Sequence, residues 1–223
     1  MKTLLTIDTS ADVCSIGLLH QAKLFEKKQC GFKSHATIIL SFVDELLSEA
    51  SILLSDIDLI AFVKGPGSFT GLRIGACVAQ GLAVSHDIDV VGISSLQAIA
   101  QGAFRRFAAK RVWVINDARM NEVYHAQYEW MDGVMQACGI EYVEALDKLN
   151  WNDNYHYIGS GFLLDSTVIP QAVLNKQLCI DAVNPESQDL ATLALVQTPQ
   201  GAELALPSYV RNKVAHKKRE THG

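Results

Sequence analysis

No cysteine pair in this chain is spaced C-x-x-C, and its five cysteines (Cys14, Cys30, Cys77, Cys138 and Cys179) are scattered and odd in number. That argues against a disulfide framework and suits a reducing cytoplasm with free thiols. No apolar run approaches the roughly eighteen residues of a membrane span. Met1-Lys2-Thr3-Leu4-Leu5 runs straight into a strand pattern, so no signal peptide is expected. Positive charge is not in excess: 19 Lys and Arg stand against 24 Asp and Glu, a net charge of −5. Bulk charge therefore does not advertise nucleic-acid binding. The familiar nucleotide and hydrolase loops are missing as well. Gly67 to Gly71 is one residue short of a phosphate-binding loop, with Leu72 where its lysine would sit. Gly65-x-Gly67-x-x-x-Gly71 does not match the dinucleotide fingerprint. No G-x-S-x-G elbow occurs, and Gly159-Ser160-Gly161 lacks the required spacing. No His, Cys, Asp and Glu cluster has metal-ligand spacing.

What is present is a chain of 223 residues, 49% apolar, enough for one large domain or two small ones. Its most distinctive stretch is Lys64-Gly65-Pro66-Gly67-Ser68-Phe69-Thr70-Gly71-Leu72-Arg73-Ile74-Gly75. It follows the strand-like run Leu59–Val63 and precedes a helical run, so the glycines join a strand end to a helix start. Ser68 and Thr70 are candidate N-caps, and the N–H groups of that first turn suit an anion. From Gly65 to Ser85 the one charged side chain is Arg73. Apolar or small residues occupy every face of the helix, unlike a surface helix with one apolar stripe. Such a helix is buried on both sides or covered by a partner. Gly71, Gly75, Ala79 and Ala83 repeat every four residues as a ridge where another backbone can lie close.

The rest of the chain reads in order. Thr3–Thr9, Val13–Leu19 and Ala22–Cys30 form an antiparallel meander. Ser34 caps a helix to about Ala50, whose stripe is Ile38, Ile39, Phe42, Val43, Leu46 and Leu47. Leu59–Val63, the glycine loop and its helix come next, then a strand Val90–Ile93 and a helix capped by Ser94 or Ser95 through about Ala108. The order βββαβαβα is that of a ribonuclease H-like mixed sheet, which is also the repeating half of actin-like ATPases. Arg111–Asn116, a turn and Glu122–Glu129 start the pattern again, with Asp8 and Asp117 in equivalent places. Val134–Val143 is expected as a third strand, Leu178–Ala182 as a later one, and Pro185–Val196 as a helix. The expected architecture is α/β, with a first lobe over residues 1–109 and a second, reduced lobe over 110–223. The basic tail, Leu206 to Arg219, is either solvated or in contact with a nucleic-acid backbone or an acidic partner.

Several stretches, spread in order over nearly the whole chain, carry a family resemblance. They are Ile7-Asp8-Thr9-Ser10, Lys64–Gly75, Gln80-Gly81-Leu82-Ala83, Gly92-Ile93-Ser94-Ser95-Leu96, Asp117-Ala118-Arg119-Met120-Asn121-Glu122-Val123-Tyr124 and Tyr209-Val210-Arg211-Asn212. On these the sequence resembles the TsaB (YeaZ) family. The resemblance is loosest between about Glu144 and Ala205.

That resemblance implies an actin-like (ASKHA) two-lobed fold and a bacterial, cytoplasmic protein. It implies a subunit that does not catalyse, but is needed to make N6-threonylcarbamoyladenosine at position 37 of tRNAs reading codons that start with A. Its partners would be the catalytic subunit TsaD, which carries metal and the threonylcarbamoyl-adenylate, and the ATPase TsaE. Alone it would form a homodimer. It would meet tRNA indirectly or through the basic tail. ATP and metal are expected on the partner subunits, with no cofactor of its own. The H-x-x-x-H metal pair of the catalytic relative is missing, since His35 is followed four residues later by Ile39. The turn Asp8-Thr9-Ser10-Ala11-Asp12 has none of the glycine that an actin-like ATPase carries there, and Asp12 would repel phosphate.

The residues expected at the partner interface are His35, Ile38, Ile39 and Phe42 on one helix and Arg73, Ile74, Cys77, Val78 and Leu82 on the next. Arg73 either pairs across that interface or snorkels. A cleft or nucleotide loop would involve Asp8, Gly67, Ser68, Thr70, Asp117 and Arg119. Arg119 either salt-bridges Asp117 or Glu122 or touches RNA or nucleotide. Two other readings stay open. One is an independent actin-like phosphotransferase with Asp8 orienting metal and Asp117 opposite it. The other is a peptidase using Ser68 or Ser10 with His35.

Overall fold

The computed structural model of the chain describes residues 2–31, 35–178 and 184–210. The first sheet holds β1 (Leu4–Asp8), β2 (Val13–His20), β3 (Lys23–Cys30), β4 (Leu59–Gly65) and β5 (Asp89–Ser94), in the order β3-β2-β1-β4-β5. β1, β2 and β3 pair antiparallel; β4 and β5 run parallel to β1. β1 lies centrally, and all five of its residues are buried. The parallel pairs need crossovers, and these are α1 (His35–Ala50) before β4 and α2 (Phe69–His86) before β5.

α1 and α2 cover one face of this sheet. Ile39, Val43, Leu46 and Leu47 of α1 and Ala76, Ala79 and Ala83 of α2 pack on Leu5, Ile7, Ile16, Leu18, Ile60 and Phe62. α3 (Ser95–Phe107) comes after β5 and is capped by Ser94, whose Oγ accepts from the Gln97 N–H at 3.2 Å. The neighbouring Ser95 hydroxyl instead donates to the Pro66 carbonyl.

The second sheet holds β6 (Arg111–Asp117), β7 (Glu122–Met131), β8 (Val134–Ala137), β9 (Tyr142–Ala145) and β10 (His156–Ile158). Its order is β10-β6-β7-β8, with β9 also on β7. The strand expected over Val134–Val143 is thus two strands. β8 pairs with Tyr128–Met131 and β9 with Glu122–His125, along the same β7. Cys138 is exposed and its N–H still donates to the Gln127 carbonyl of β7 at 2.9 Å, but Gly139 and Ile140 are exposed and belong to neither strand, because Gly139 weakens a continuous strand there.

α3 is wedged between the sheets. Leu96, Ile99, Ala100 and Ala103 share a cluster with Val112, Val114, Ala126, Tyr128 and Met135. One turn apart on the same helix, Gln97 Nε2 donates to the Met135 carbonyl and Gln101 Oε1 accepts from the Met135 N–H, both at 2.9 Å. Glu141 accepts from Tyr128 OH at 3.0 Å and also from Ser94 Oγ.

α4 (Gln171–Leu174) packs near β10, and α5 (Ser187–Ala194) then returns to the first sheet. By sequence position α5 belongs to the second lobe. In space Leu190, Ala191, Leu193 and Ala194 cover Leu4, Leu59, Ala61, Val63 and Val91. That face of β1, β4 and β5 is apolar and α1 and α2 lie on the other side, so a distant helix closes it. Arg105 at the end of α3 pins α5, with Nε and Nη2 each 2.9 Å from the buried Asp189 carboxylate. Most of the strand expected over Leu178–Ala182, the Ser34 cap, and the tail beyond Val210 lie outside the described residues.

Candidate functional site

Two surfaces stand out, a helix face and a cleft. The glycine segment shapes both. Ser68 caps α2, its Oγ accepting from the Gly71 N–H at 3.3 Å. The first turn of α2 then clasps the β1–β2 turn. Ser68 N–H donates to the Ser10 carbonyl at 2.7 Å and Thr9 Oγ1 donates to the Gly71 carbonyl at 2.8 Å. A Cβ on Gly71 would collide with the Thr9 carbonyl, and one on Gly75 would sit 2.5 Å from Thr9 Oγ1. The small-residue ridge Gly71, Gly75, Ala79 and Ala83 is therefore buried by this chain's own strands. The backbone that its small residues admit is not a partner's; it is β1 and its turn.

The outward side of α2 is different. Arg73, Cys77, Gly81 and Val84 are exposed, while Ile74, Val78 and Leu82 are half-buried. On α1, Ile38 and Phe42 are half-buried and Leu40 is exposed. These half-buried side chains rest one side on the core and keep the other open. Ile39 does not belong with them: at 0% exposure it is core. Its position in the stripe points it down at the sheet. The side chain of His35 lies outside what is described.

Arg73, expected either to pair across an interface or to snorkel, is engaged within this chain. Its guanidinium lies 3.8 Å from the Phe69 ring centroid, and its Nε donates to Tyr209 OH at 3.0 Å. The Phe69 and Tyr209 rings are 5.4 Å apart. A cation over a ring face is attracted by the ring quadrupole. The arginine thus joins the first turn of α2 to the C-terminal segment. Phe69 is not among the expected site residues; its signal in the sequence is an aromatic inside a glycine run. Tyr209 enters there only as part of the family motif.

Where the β1–β2 turn and the glycine segment meet the β6–β7 turn lies a cleft of about 910 Å³. It is lined by Ser10, Asp12, Gly67, Ser68, Asp117 and Arg119, with Phe69, Tyr124 and Tyr209 among its aromatics. Asp117 and Arg119 hold each other: Asp117 Oδ1 accepts the Arg119 N–H at 2.6 Å, and Oδ2 lies 3.3 Å from the guanidinium. Ser160 braces the same loop, accepting from the Asp117 N–H at 3.0 Å while its own N–H donates to Asn116 Oδ1 at 3.2 Å. Neither Ser160 nor Asn116 is legible in the sequence as part of the cleft, although the Gly-Ser-Gly turn marks the place. A Cβ on Gly161 would come within 2.9 Å of the Ile115 carbonyl, so glycine lets the turn sit against β6.

Two residues expected in this cleft are not there. Thr70 is exposed and does not line the cleft. Asp8 is buried at 1% exposure, beneath the turn rather than in the cleft. Its Oδ1 accepts the Ser10 N–H at 2.8 Å. Burial pushes its pKa up to about 6, opposed by the Ser10 hydrogen bonds and the charge of Lys28. Asp12 in the same turn remains exposed. Among the described residues no His, Cys, Asp and Glu group could hold a metal. Among them, too, no helix is long and apolar enough to cross a membrane.

Known proteins share this arrangement. A family model described as TsaD, tRNA N6-adenosine threonylcarbamoyltransferase, matches residues 19–217. The tRNA threonylcarbamoyladenosine biosynthesis protein TsaB of Haemophilus influenzae is 34% identical over 97% of this chain and 96% of its own length. Its Bacillus subtilis namesake is 29% identical over 94% of each. The solved structure of YeaZ from Pseudomonas aeruginosa superposes with a TM-score of 0.84 at 36% identity, covering 94% of this chain and all of that one. A mixed α/β protein with two sheets, matched by the TsaD family model over most of its length, is thereby defined. Within that class, the chain belongs to the TsaB (YeaZ) family.

Proposed function

We propose that this chain is the non-catalytic partner subunit of the machinery that makes N6-threonylcarbamoyladenosine at position 37 of tRNAs reading codons that start with A. It has an actin-like fold and works in the cytoplasm. It pairs with the catalytic subunit TsaD, joined by TsaE, and forms a homodimer when alone. ATP and metal are bound by those partner subunits. One observation carries the reading. Ile38, Phe42, Ile74, Val78 and Leu82 keep half-open apolar faces on two adjacent helices, bordered by exposed Cys77, Gly81 and Val84. No charge interrupts that α2 surface beyond Arg73, and Arg73 is engaged with Phe69 and Tyr209. Apolar surface of this continuity is a mark of a protein partner.

Val78→Glu tests it. A carboxylate at a half-buried, outward position leaves the core intact but must be desolvated to bury the seam. The variant should fold normally and fail to co-purify with TsaD. Full co-purification would place the contact elsewhere. An independent phosphotransferase is the weaker reading, because Asp8 is enclosed and its carboxylate closes a turn. Micromolar binding of Mg-ATP to the isolated chain, measured by calorimetry, would revive it.

A further inference from the structure

Residues 200–210 form a strap along one flank of α2. Gln200 and Val90 exchange backbone hydrogen bonds at 2.7 and 2.9 Å, which seats the start of the strap on β5. Gln80 Nε2 then donates to the Ala202 carbonyl at 3.3 Å. Ser208 N–H donates to the Lys64 carbonyl at 2.7 Å, and Tyr209 OH accepts from Arg73 Nε at 3.0 Å beside the Phe69 ring. Later strap residues meet earlier helix residues, so the strap runs antiparallel to α2. Its contacts keep to one side: at roughly 100° per residue, Phe69, Arg73 and Gln80 fall within about 40° of one another around the helix.

On the other flank, Ile74, Val78 and Leu82 share a core cluster with Ile38 and Phe42 of α1. Exposed Cys77, Gly81 and Val84 occupy the sector between the two flanks, and a Cβ on Gly81 meets nothing within 4 Å. The open line of α2 thus has α1 on one side and the strap on the other. The strap brings apolar groups to the same surface. Ala205 is 2% exposed and belongs to the core under α1 and α2, whereas its neighbours Leu204 and Leu206 are 49% and 58% exposed. The one charge of the strap, Glu203, is folded back, its carboxylate 2.5 Å from where a Gly201 Cβ would stand. Hydrogen bonds at both ends hold the two leucines in place, and a surface fixed in advance loses less entropy on binding.

We propose that Leu204 and Leu206 are a third element of the partner seam, covered by the same catalytic subunit, TsaD, that covers the open faces of α1 and α2. This rests on the partner-subunit reading and extends it from two helices to two helices and a strap. Continuity decides the occupant. Apolar surface runs from α1 across α2 to the strap, and Arg73, the one charge between Gly65 and Ser85, is engaged within the chain. A continuous face without free charge suits the apolar core of a protein interface.

The test uses the full chain, the double variant Leu204→Ser/Leu206→Ser, Leu206→Glu and Val78→Glu. Thermal unfolding reports the fold, calorimetry with TsaD the affinity, and mass in solution the self-association of each chain alone. Both leucines are exposed, so the double variant should keep the parent's unfolding midpoint. It should bind TsaD roughly tenfold more weakly or worse, having lost two apolar side chains from the seam. Leu206→Glu should weaken binding further, because its carboxylate must be desolvated. Parent affinity in the double variant would overturn the proposal. So would a lowered unfolding midpoint, which would place the leucines in this chain's own core. Weaker self-association with unchanged TsaD affinity would overturn it as well, giving the strap to a second copy of this chain. Val78→Glu separates the strap from the reading beneath it. Binding lost in Val78→Glu but native in the double variant rejects the strap and keeps the two-helix seam. Native binding in both rejects the seam, and a parent chain that never binds TsaD defeats the partner reading itself.

Discussion

Asp8 and Asp117 close the same turn in the two halves of the chain. Each sits at the end of the first strand of its sheet, and each Oδ1 accepts the N–H two residues on, Ser10 at 2.8 Å and Arg119 at 2.6 Å. The local chemistry is shared, an aspartate side chain folding back on its own backbone. The surroundings are not. Asp8 is enclosed, whereas the Asp117 side chain keeps 20% of its surface and an arginine partner in the cleft.

Enclosure makes Asp8 a pH-dependent liability. Its folded pKa, about 6, lies above the ordinary 3.8. Between those values the folded chain holds more protons than the unfolded one, so stability falls as pH rises through that window. The loss is about 3 kcal/mol above pH 6, from two units at 1.36 kcal/mol each. Asp8→Asn keeps an oxygen for the Ser10 N–H and removes the charge. Its denaturation midpoint should exceed the parent's at pH 7.5 and converge on it at pH 4.

His125 should act in the opposite sense. Trp113 Nε1 donates to its Nδ1 at 3.2 Å, so the neutral ring carries its proton on Nε2. Burial lowers its pKa, against the pull of Glu144. The unfolded chain therefore takes up the proton first as pH falls below about 6.5, and stability drops there. His125→Gln should flatten the acid side of the stability profile measured by thermal unfolding between pH 7 and 5.

Two glycines of one helix should respond oppositely to alanine. At Gly71 the added methyl meets the Thr9 carbonyl, a backbone atom that cannot swing away. Gly71→Ala should cost about 3 kcal/mol, at the top of the overpacking range. At Gly81 a Cβ meets nothing within 4 Å. Gly81→Ala should stabilise by about 0.5–1 kcal/mol through helix propensity alone. Urea unfolding of the pair checks both signs.

Arg105→Ala should be the most damaging change at the end of α3. It leaves the carboxylate of Asp189, whose side chain is 2% exposed, without its two guanidinium hydrogen bonds. Breaking one side of a buried pair costs about 3–5 kcal/mol. Because α5 is what Arg105 holds, amide exchange should rise first in Ser187–Ala194.

The sequence alone determined the local things: the order of strands and helices, the strand-to-helix glycine loop, the capping serines and the paired aspartate turns. Each depends on residues a few positions apart. Tertiary structure decided what covers what. It buried the Gly71 side of α2 under Thr9, 62 positions away, and gave Arg73 a partner in Tyr209, 136 positions away. It also sent α5 back to the first sheet and closed Asp8 off from the cleft. An apolar helix face looks the same in sequence whether its own strands or another chain will cover it, because burial is set by whatever surface arrives from a distance.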